Sequence, residues 1–326
     1  MLIQEDRDLL KLEGVNTSFF LDTSVLRAVD NVSFEIRKGE IFGLVGESGS
    51  GKTMTALSIM RLVPPPARIV EGKIIFEKRD LVTLPTKDME DVRGRRIGMI
   101  FQEPMSSLNP VFRVGDQIGE ILSAHTNLTN KEIRDKSLQL LKQVGFDEPN
   151  RRYMQYPHQL SGGQRQRVLI AIAIACNPSL VIADEPTTAL DVATEGQILS
   201  LLQEFVTGHR MSMLFITHNL HIIRGLGTRV GIMYAGRMLE QNRVADFFRE
   251  PLHPYSGGLL DSVVWLKGDE KRLKAIPGAV PRLSELPQGC KFHPRCSKVM
   301  AICRGDEPPM FKVGEDQWVR CYLYRN

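Results

Sequence analysis

The sequence predicts an α/β protein in which helices cover a parallel β-sheet. From Val168 onward, helical and strand patterns alternate, in the order VLIAIAIAC, LVIAD, EGQILSLLQEFV and SMLFIT. This alternation is typical of parallel sheets, because a helix must carry the chain back between parallel strands. A second observation is a glycine-rich segment that joins a short apolar run at 41–45 to a helical pattern.

The first third of the chain is predicted to form strands and turns. Residues 28–36 alternate apolar and polar side chains, as a half-buried strand does. Residues 41–45 are apolar throughout, which favours a strand buried on both faces. Residues 53–63 follow as a predicted helix, which the prolines at 64–66 should end.

Helical patterns dominate the middle of the chain and then fade. Residues 114–125 and 130–146 are predicted helices, and Asn130 is the predicted N-cap of the second one. Residues 252–263 are predicted to form one more helix, followed by an irregular tail. Prolines and cysteines become frequent near residue 255, so a domain boundary is expected there.

Composition excludes several classes of protein. The 326 residues include 42 Lys and Arg against 38 Asp and Glu, and no block of like charges marks a nucleic-acid arm. The longest apolar run, at 168–176, has nine residues, whereas a membrane helix needs about 18. The first residues lack the features of a signal peptide. We therefore expect a cytoplasmic protein that reaches a membrane only through a partner.

A phosphate-binding loop is predicted directly after the strand at 41–45. The pattern G-x-x-x-x-G-K-[ST] is matched by Gly46, Glu47, Ser48, Gly49, Ser50, Gly51, Lys52 and Thr53. Glycines allow backbone N–H groups to approach phosphates at a helix N-terminus. The Lys52 ammonium would lie on the β- and γ-phosphates of a nucleotide, and the Thr53 hydroxyl would ligate Mg²⁺.

Two acidic residues end a predicted apolar strand. Asp184 and Glu185 follow the segment LVIA, and carboxylates at the C-terminal edge of a parallel strand face the crevice where ligands bind. Asp184 would hold the Mg²⁺ shell, and Glu185 would orient or deprotonate an attacking water.

A second anion site is predicted at the start of another helix. The segment Leu160, Ser161, Gly162, Gly163 and Gln164 opens the apolar helix that contains Val168. A helix N-terminus with paired glycines favours an anion. Because one nucleotide does not need two such sites in one chain, this one is predicted to cap a nucleotide held by a second subunit.

With these motifs in order, the chain resembles the ATP-binding subunit of an ABC transporter. Residues 46–53 resemble the Walker A motif, 180–184 the Walker B motif and 160–164 the signature. The other matching positions are Gln102 in the Q-loop, Ala189, Leu190 and Asp191 in the D-loop, and His218 as the switch histidine.

The resemblance implies the roles of these residues. Glu185, His218 and Gln102 are implied to be catalytic. Thr53, Gln102 and Asp184 are implied to hold Mg²⁺. The ATP-binding positions are implied to be Gly46 to Thr53, Asp184, Ser161 to Gln164 and Asp191. Two positions depart from the family pattern: Glu103 stands where aspartate is commoner, and Asn219 stands beside the switch histidine where aspartate is usual.

An aromatic residue upstream of the Walker A motif stacks on adenine in this family. Phe19 and Phe20 are adjacent, so in a strand they point to opposite faces. Phe19 is preferred because of its distance from the strand at 28–36.

The particular residues within and around these motifs resemble the subfamily that imports dipeptides and oligopeptides. Close relatives in that subfamily import nickel or other small solutes. The implied fold is a P-loop NTPase (RecA-like) core with an inserted helical subdomain at about 105–166 and an N-terminal antiparallel β subdomain. The implied domains are residues 1–255 and a small, irregular, cysteine-rich extension at 256–326.

The subfamily also implies partners. They are a second ATPase subunit, identical or paralogous, two transmembrane permease subunits and, indirectly, an external solute-binding protein. The implied location is the cytoplasmic face of the inner membrane, as a peripheral protein.

Four cysteines lie close together in the tail: Cys290, Cys296, Cys303 and Cys321. Disulfides are disfavoured in a reducing cytosol, and the spacing is wider than in most zinc sites. On spacing alone, bound metal (zinc or an iron–sulfur cluster) and free thiols all stay open. The subfamily resemblance implies a [4Fe-4S] cluster on all four, with His293 as a less favoured ligand. Cys176 is predicted to be a small core residue.

Two competing functions come from other classes. A soluble ABC-type ATPase acting on DNA or ribosomes usually carries tandem cassettes or long coiled coils, and this chain shows one cassette and no heptads. A small-molecule P-loop kinase would leave the second glycine-rich site and His218 unexplained.

Overall fold

A computed structural model describes residues 7–188, 190–262 and 276–325. The strands are β1 (Asp8–Leu21), β2 (Ser24–Arg37), β3 (Ile41–Val45), β4 (Ala67–Phe76), β5 (Arg79–Asp80), β6 (Ile97–Ile100), β7 (Leu180–Asp184), β8 (Ser212–Thr217), β9 (Arg229–Tyr234), β10 (Arg237–Arg243), β11 (Phe311–Gly314) and β12 (Gln317–Val319). Ala189, a residue of the predicted D-loop, lies outside the described residues, as does the stretch 263–275 of the predicted tail.

The α-helices of the described residues have the following bounds. They are α1 (Lys52–Ile59), α2 (Thr86–Val92), α3 (Pro104–Ser107), α4 (Val114–His125), α5 (Asn130–Gln143), α6 (Pro149–Tyr153), α7 (Gly162–Ile174), α8 (Val192–His209), α9 (Leu220–Leu226), α10 (Val244–Arg249), α11 (Pro254–Asp261) and α12 (Ile302–Gly305). Every helix within this part of the chain is too short or too polar to cross a bilayer.

One compact unit comprises the described residues within 7–9, 36–41 and 83–216. Its sheet is parallel: β6 pairs with β7, and β7 pairs with β8, with Leu180 opposite both Ile97 and Ser212. All five residues of β7 are buried, as a central parallel strand requires. Helix α7 packs on β6, and α4, α5 and α6 pack with one another near α7. The predicted parallel sheet with helical cover is confirmed.

The other compact unit comprises the described residues within 10–35, 42–82 and 217–325. It contains an antiparallel sheet in the order β2-β1-β4-β5, which confirms the antiparallel N-terminal subdomain. In a second sheet, β3 pairs with β9 in parallel, and the antiparallel strands β10, β12 and β11 follow in that order. Large side chains fill its core, among them Phe42, Tyr234, Phe247 and Tyr255.

Helix α1 is shorter than predicted. It ends at Ile59 rather than near residue 63, because Arg61 adopts a left-handed conformation with φ 50°. The Arg61 N–H donates to the Ser58 carbonyl (3.1 Å) and the Leu62 N–H to the Leu57 carbonyl (2.8 Å). This pair of bonds is the Schellman pattern, which stops a helix before the prolines are reached.

The N-cap of α5 also differs from the prediction. Thr129, not Asn130, caps the helix, since its side chain accepts from the Glu132 N–H while the Glu132 carboxylate accepts from the Thr129 N–H (2.7 Å). This reciprocal capping box satisfies two backbone donors, whereas Asn130 is already the first helical residue. The helix ends at Gln143, three residues before the predicted end at 146.

The prediction of an irregular tail was wrong for residues 311–319. Strands β11 and β12 form a hairpin there, and β12 pairs with β10. Asp316 turns the hairpin with φ 59°. These strands are short, so their alternating pattern is weak in sequence, and pairing with β10 stabilises them. The predicted helix at 252–263 is confirmed as α11.

Candidate functional site

The predicted phosphate-binding loop connects β3 to α1. Lys52 is the first residue of α1, yet its side chain turns back into the loop, and Nζ donates to the carbonyls of Gly46 (2.8 Å) and Glu47 (3.0 Å). The Lys52 residue is only 5% exposed. Thr53, Ser48 and Gly49 are exposed. The loop therefore surrounds a buried ammonium with its own carbonyls and leaves its outer residues accessible.

Gly46 is required by a close backbone approach. A Cβ at this position would lie 2.2 Å from the Met233 carbonyl oxygen on β9, a distance that no side chain tolerates. The remainder of the loop is tied by backbone bonds: the Ser50 N–H donates to Glu47 (3.2 Å), and the Gly236 N–H donates to Ser50 (2.9 Å). Strand β9 and the turn that follows it thus fix the position of the loop.

Glu47 makes contacts that the sequence did not predict. Both of its carboxylate oxygens accept from Arg295, with Nη1–Oε2 at 2.8 Å and Nη2–Oε1 at 3.0 Å. Its backbone N–H donates to the Tyr255 hydroxyl at 3.1 Å. Arg295 and Glu47 are 248 positions apart, so no local pattern could have paired them. Two residues from the C-terminal part of the chain therefore belong to the surroundings of the loop.

The two predicted acidic residues lie at the C-terminal end of β7. Asp184 is 2% exposed. Glu185 follows with φ 46°, a conformation uncommon for a residue with a side chain. Its carboxylate accepts from Gln102 Nε2 (3.2 Å) and from the Thr188 hydroxyl (2.9 Å). The structure therefore brings predicted residues Gln102 and Glu185 together, and adds Thr188, which the sequence analysis missed.

The signature segment caps α7. Ser161 Oγ accepts from the Gln164 N–H (3.3 Å), and Gln164 Oε1 accepts from the Ser161 N–H (3.1 Å). Close packing favours glycine at position 163, because a Cβ there would lie 2.5 Å from Thr194 Cγ2 on α8. At Gly162, a Cβ would have its nearest neighbour, Leu190, at 3.8 Å. Packing thus explains one glycine of the pair and leaves the other without a steric reason.

Asp191 caps α8 beside that contact. Its carboxylate accepts from the Thr194 N–H (2.9 Å) and the Thr194 hydroxyl (2.7 Å). These hydrogen bonds lower the pKa of Asp191 below its ordinary value. Thr194 therefore connects the D-loop residue to the signature glycine at 163.

His218 lies in the exposed turn between β8 and α9. The neighbouring Asn219 caps α9, since its side chain accepts from the His221 N–H at 3.0 Å. Asparagine and aspartate are comparable N-caps. The departure from the family pattern at Asn219 therefore preserves the local structure.

The two candidate aromatic residues differ in their surroundings. Both are half-buried on β1. The Arg68 guanidinium lies over the Phe20 ring, 3.9 Å from its centroid, in a cation–π contact. One face of Phe20 is thus occupied within the chain.

The four tail cysteines line one cavity, together with Phe292 and His293. The four cysteines are Cys290, Cys296, Cys303 and Cys321. All five cysteines of the chain are free thiols. Burial raises the pKa of Cys290 to about 12, so its thiol is protonated at neutral pH when no cation is near. Cys176 lies elsewhere, half-buried, with Sγ 4.0 Å from the Ile121 carbonyl.

The described side chains around this cavity do not form a single-ion metal site. Within residues 7–188, 190–262 and 276–325, no group of three or more His, Cys, Asp or Glu side chains is arranged to hold a metal ion. A buried His253 lines the same cavity, and its Nε2 has no hydrogen-bond partner. Its Nδ1 accepts from the Tyr255 N–H at 3.0 Å, so Nε2 carries the ring proton. Four thiols and one unsatisfied donor thus surround the cavity.

Two family profiles match the chain. The family described as "ABC transporter" matches residues 29–188, and the family described as "Oligopeptide/dipeptide transporter, C-terminal region" matches residues 239–303. The oligopeptide transport ATP-binding protein AppD of Bacillus subtilis (strain 168) is 47% identical over 97% of both chains. The dipeptide transport ATP-binding protein DppD of Haemophilus influenzae is 43% identical over 98% of this chain and 96% of its own.

A solved structure of an ATP-binding cassette is also similar to this chain. A dimeric post-hydrolysis state of the ATP-binding cassette MJ0796, bound to ADP and Pi, has a TM-score of 0.66 and 29% identity. The match covers 72% of this chain and 98% of that one. This similarity confirms the P-loop NTPase core that the loop at 46–53 predicts. The chain belongs to the ABC transporter family, among its oligopeptide and dipeptide transport ATP-binding proteins.

Proposed function

We propose that this chain hydrolyses ATP to power the import of oligopeptides or dipeptides through a membrane-embedded permease. The observation that carries the proposal is the match over nearly the whole chain to transport ATP-binding proteins, at 43–47% identity, together with the loop that encloses the Lys52 ammonium. A nickel importer of the same subfamily is the second candidate. The match of residues 239–303 to a peptide-transporter region favours peptides.

The nucleotide is proposed to bind on residues 46–53. The Lys52 ammonium, which lies among the loop carbonyls, and the backbone N–H groups of the loop are proposed to bind the phosphates when ATP enters, because both favour its negative charge. We assign adenine stacking to Phe19, because Arg68 already occupies a face of Phe20. Thr53, Asp184 and Gln102 are proposed to hold Mg²⁺, which neutralises phosphate charge when bound.

Glu185 is the proposed general base. Its carboxylate is held by Gln102 and Thr188, so it is positioned before any nucleotide arrives, and such positioning lowers the cost of reaching the reactive geometry. His218 is proposed to contact the γ-phosphate from its exposed turn.

A second ATPase subunit is proposed to complete each nucleotide site. Residues 161–164 and Asp191 would contact nucleotide held by that subunit, since the N-terminus of α7 offers N–H groups to an anion. The dimeric state of the similar cassette MJ0796, bound to ADP and Pi, supports this arrangement. ATP would then favour the closed dimer, in which the two ATPase subunits enclose the nucleotide.

The helical segment at about 105–166 is the proposed contact with two permease subunits. Three apolar side chains near its start are exposed: Met105 (62%), Val111 (72%) and Phe112 (52%). Exposed apolar residues grouped in this way favour a protein partner. We accordingly propose that the chain is a peripheral subunit at the cytoplasmic face of the inner membrane and that an external solute-binding protein delivers the peptide.

The tail at 256–326 is proposed to form a C-terminal extension that holds a [4Fe-4S] cluster on Cys290, Cys296, Cys303 and Cys321. Support comes from the four thiols on one cavity and from the preference of iron–sulfur clusters for four cysteine thiolates. Since a cluster is larger than one ion, its ligands need not meet the geometry of a single-ion site. The cluster would act as a structural staple for the tail.

Reconstitution with permease and binding protein tests the transport function. The complex should hydrolyse ATP faster when the binding protein carries an oligopeptide than when Ni²⁺ is supplied, and Lys52→Ala should abolish nucleotide binding. Stimulation by Ni²⁺ alone would assign the second candidate. Unchanged binding by Lys52→Ala would refute the loop as the nucleotide site.

Iron and sulfide analysis of anaerobically purified protein tests the cluster. We expect iron, acid-labile sulfide and a visible absorption band, all lost in Cys303→Ser. The matched control is Cys176→Ser, which should keep them. Zinc without sulfide, or no bound metal, would contradict the proposal.

A further inference from the structure

Arg295 is a fully engaged, buried arginine. Its side chain is 5% exposed and binds the Glu47 carboxylate through two parallel hydrogen bonds. Its Nε donates to the Pro277 carbonyl at 2.9 Å, and its guanidinium lies over the Tyr234 ring at 5.7 Å. The pair with Glu47 raises the pKa of Arg295 further. Besides its pair with Glu47, the guanidinium is therefore held by a backbone carbonyl and an aromatic ring.

Glu47 in turn is held through all of its polar groups. Arg295 binds the carboxylate, the Tyr255 hydroxyl accepts from the N–H, and Lys52 Nζ and the Ser50 N–H donate to the carbonyl. Glu47 is the second residue of the phosphate-binding loop. Its position therefore sets where the following backbone N–H groups and the Lys52 ammonium lie.

A carboxylate in this loop needs a cation for a second reason. The loop binds phosphates, and an unpaired Glu47 would repel them. Two parallel N–H···O bonds demand the planar fork of arginine, which lysine cannot reproduce. Arg295 thus neutralises Glu47 and fixes its direction at once.

We propose that Arg295 is a positioning residue of the nucleotide site: through Glu47 it holds the phosphate-binding loop in the conformation that binds ATP. The inference rests on the proposed nucleotide site. Arg295 immediately precedes Cys296, and Tyr255 contacts the Phe292 ring at 5.2 Å between centroids. The loop is thereby connected to the residues around the cysteine cavity, so a disturbance of that region should weaken nucleotide binding.

Nucleotide affinity of the purified full chain tests this role. Mg²⁺–ATP binding is measured by calorimetry for wild type, Arg295→Gln, Glu47→Gln and the double variant. Arg295→Gln should raise Kd about tenfold, the scale of coupling expected for a residue that acts at a distance. The double variant should be no weaker than Arg295→Gln, because both changes remove one interaction. A Kd within twofold of wild type for Arg295→Gln, or strictly additive effects, would overturn the inference.

Three further variants make the result unambiguous. Arg243→Gln is the matched control, since Arg243 forms an exposed pair with Glu315 in the same unit, and its Kd should not change. If thermal unfolding shows that Arg295→Gln does not fold, Arg295→Lys replaces it, with an intermediate Kd expected and a native Kd as the contrary result. Lys52→Ala separates the two proposals: if it binds ATP normally, the nucleotide site itself is wrong, whereas loss there with native binding in the Arg295 variants defeats only the positioning role.

Discussion

Gln102 Nε2 donates to Glu185 Oε2 across 3.2 Å, although the two residues are 83 positions apart in sequence. Gln102 follows β6 and Glu185 follows β7, and these strands are parallel neighbours. Since parallel strands end at the same edge of a sheet, the residues that follow them meet there. This bond connects the proposed base to the segment that leads into the exposed apolar residues Met105, Val111 and Phe112.

The first prediction concerns Glu185. Glu185→Gln keeps the contacts to Gln102 and Thr188 but removes the base, so ATP hydrolysis should fall by about 100-fold or more while ATP-bound dimers accumulate. Single-turnover kinetics and gel filtration with ATP measure both effects. The matched control is Glu195→Gln, which changes a nearby carboxylate bonded to Thr187. Hydrolysis at the native rate in Glu185→Gln would contradict the assignment of the base.

A second prediction follows from the packing of Gly163. Gly163→Ala places a methyl group against Thr194, whose side chain is fixed by Asp191. The N-terminus of α7 must then move from α8, so steady-state ATPase activity should fall several-fold, while nucleotide binding by the monomer stays unchanged. Gly196→Ala on α8 meets no atom within 4 Å and should be silent. Equal activities of the two variants would argue against the packing explanation.

The cap of α5 gives a third prediction. Thr129→Ala should lower the free energy of unfolding by about 1 kcal/mol, because it removes a capping box. Asn130→Ala, one residue later, should change it little. Urea unfolding monitored by circular dichroism distinguishes them, and a larger loss for Asn130→Ala would restore Asn130 as the cap.

A fourth prediction concerns pH and Glu240. This buried carboxylate accepts from the Leu252 and His253 N–H groups at 3.0 and 2.9 Å, and burial raises its pKa above the ordinary 4.5. The folded state therefore binds the Glu240 proton more tightly than the unfolded state does. This difference increases the free energy of unfolding at low pH, and the increase is lost as the pH rises above 4.5. The stability of wild type relative to Glu240→Gln should decrease with rising pH in that window. The free energy of unfolding of both proteins is measured by urea titration at several pH values. A difference between them that does not change with pH would contradict the prediction.

Much of the fold was readable from short-range patterns. Strands β3, β7 and β8 were predicted at their observed bounds, because continuous apolar runs between turn signals identify buried strands. Helix α4 was likewise predicted at Val114–His125. The errors came where hydrogen bonding within a few residues overrode the general signal, as at Arg61 and Thr129, or where a short hairpin needed β10 to form.

The sequence by itself determined that the chain has a phosphate-binding loop, since eight consecutive residues at 46–53 carry the whole pattern and lie between a strand and a helix. It also determined the family, because the motifs occur in a recognisable order. Only the tertiary structure decided that Arg295 binds Glu47 and that four cysteines line one cavity. It also decided that Thr188 and Gln102 both donate hydrogen bonds to the Glu185 carboxylate. The physical reason is that loops and helix ends depend on neighbouring residues, whereas contacts between distant positions exist only once strand order and packing bring them together.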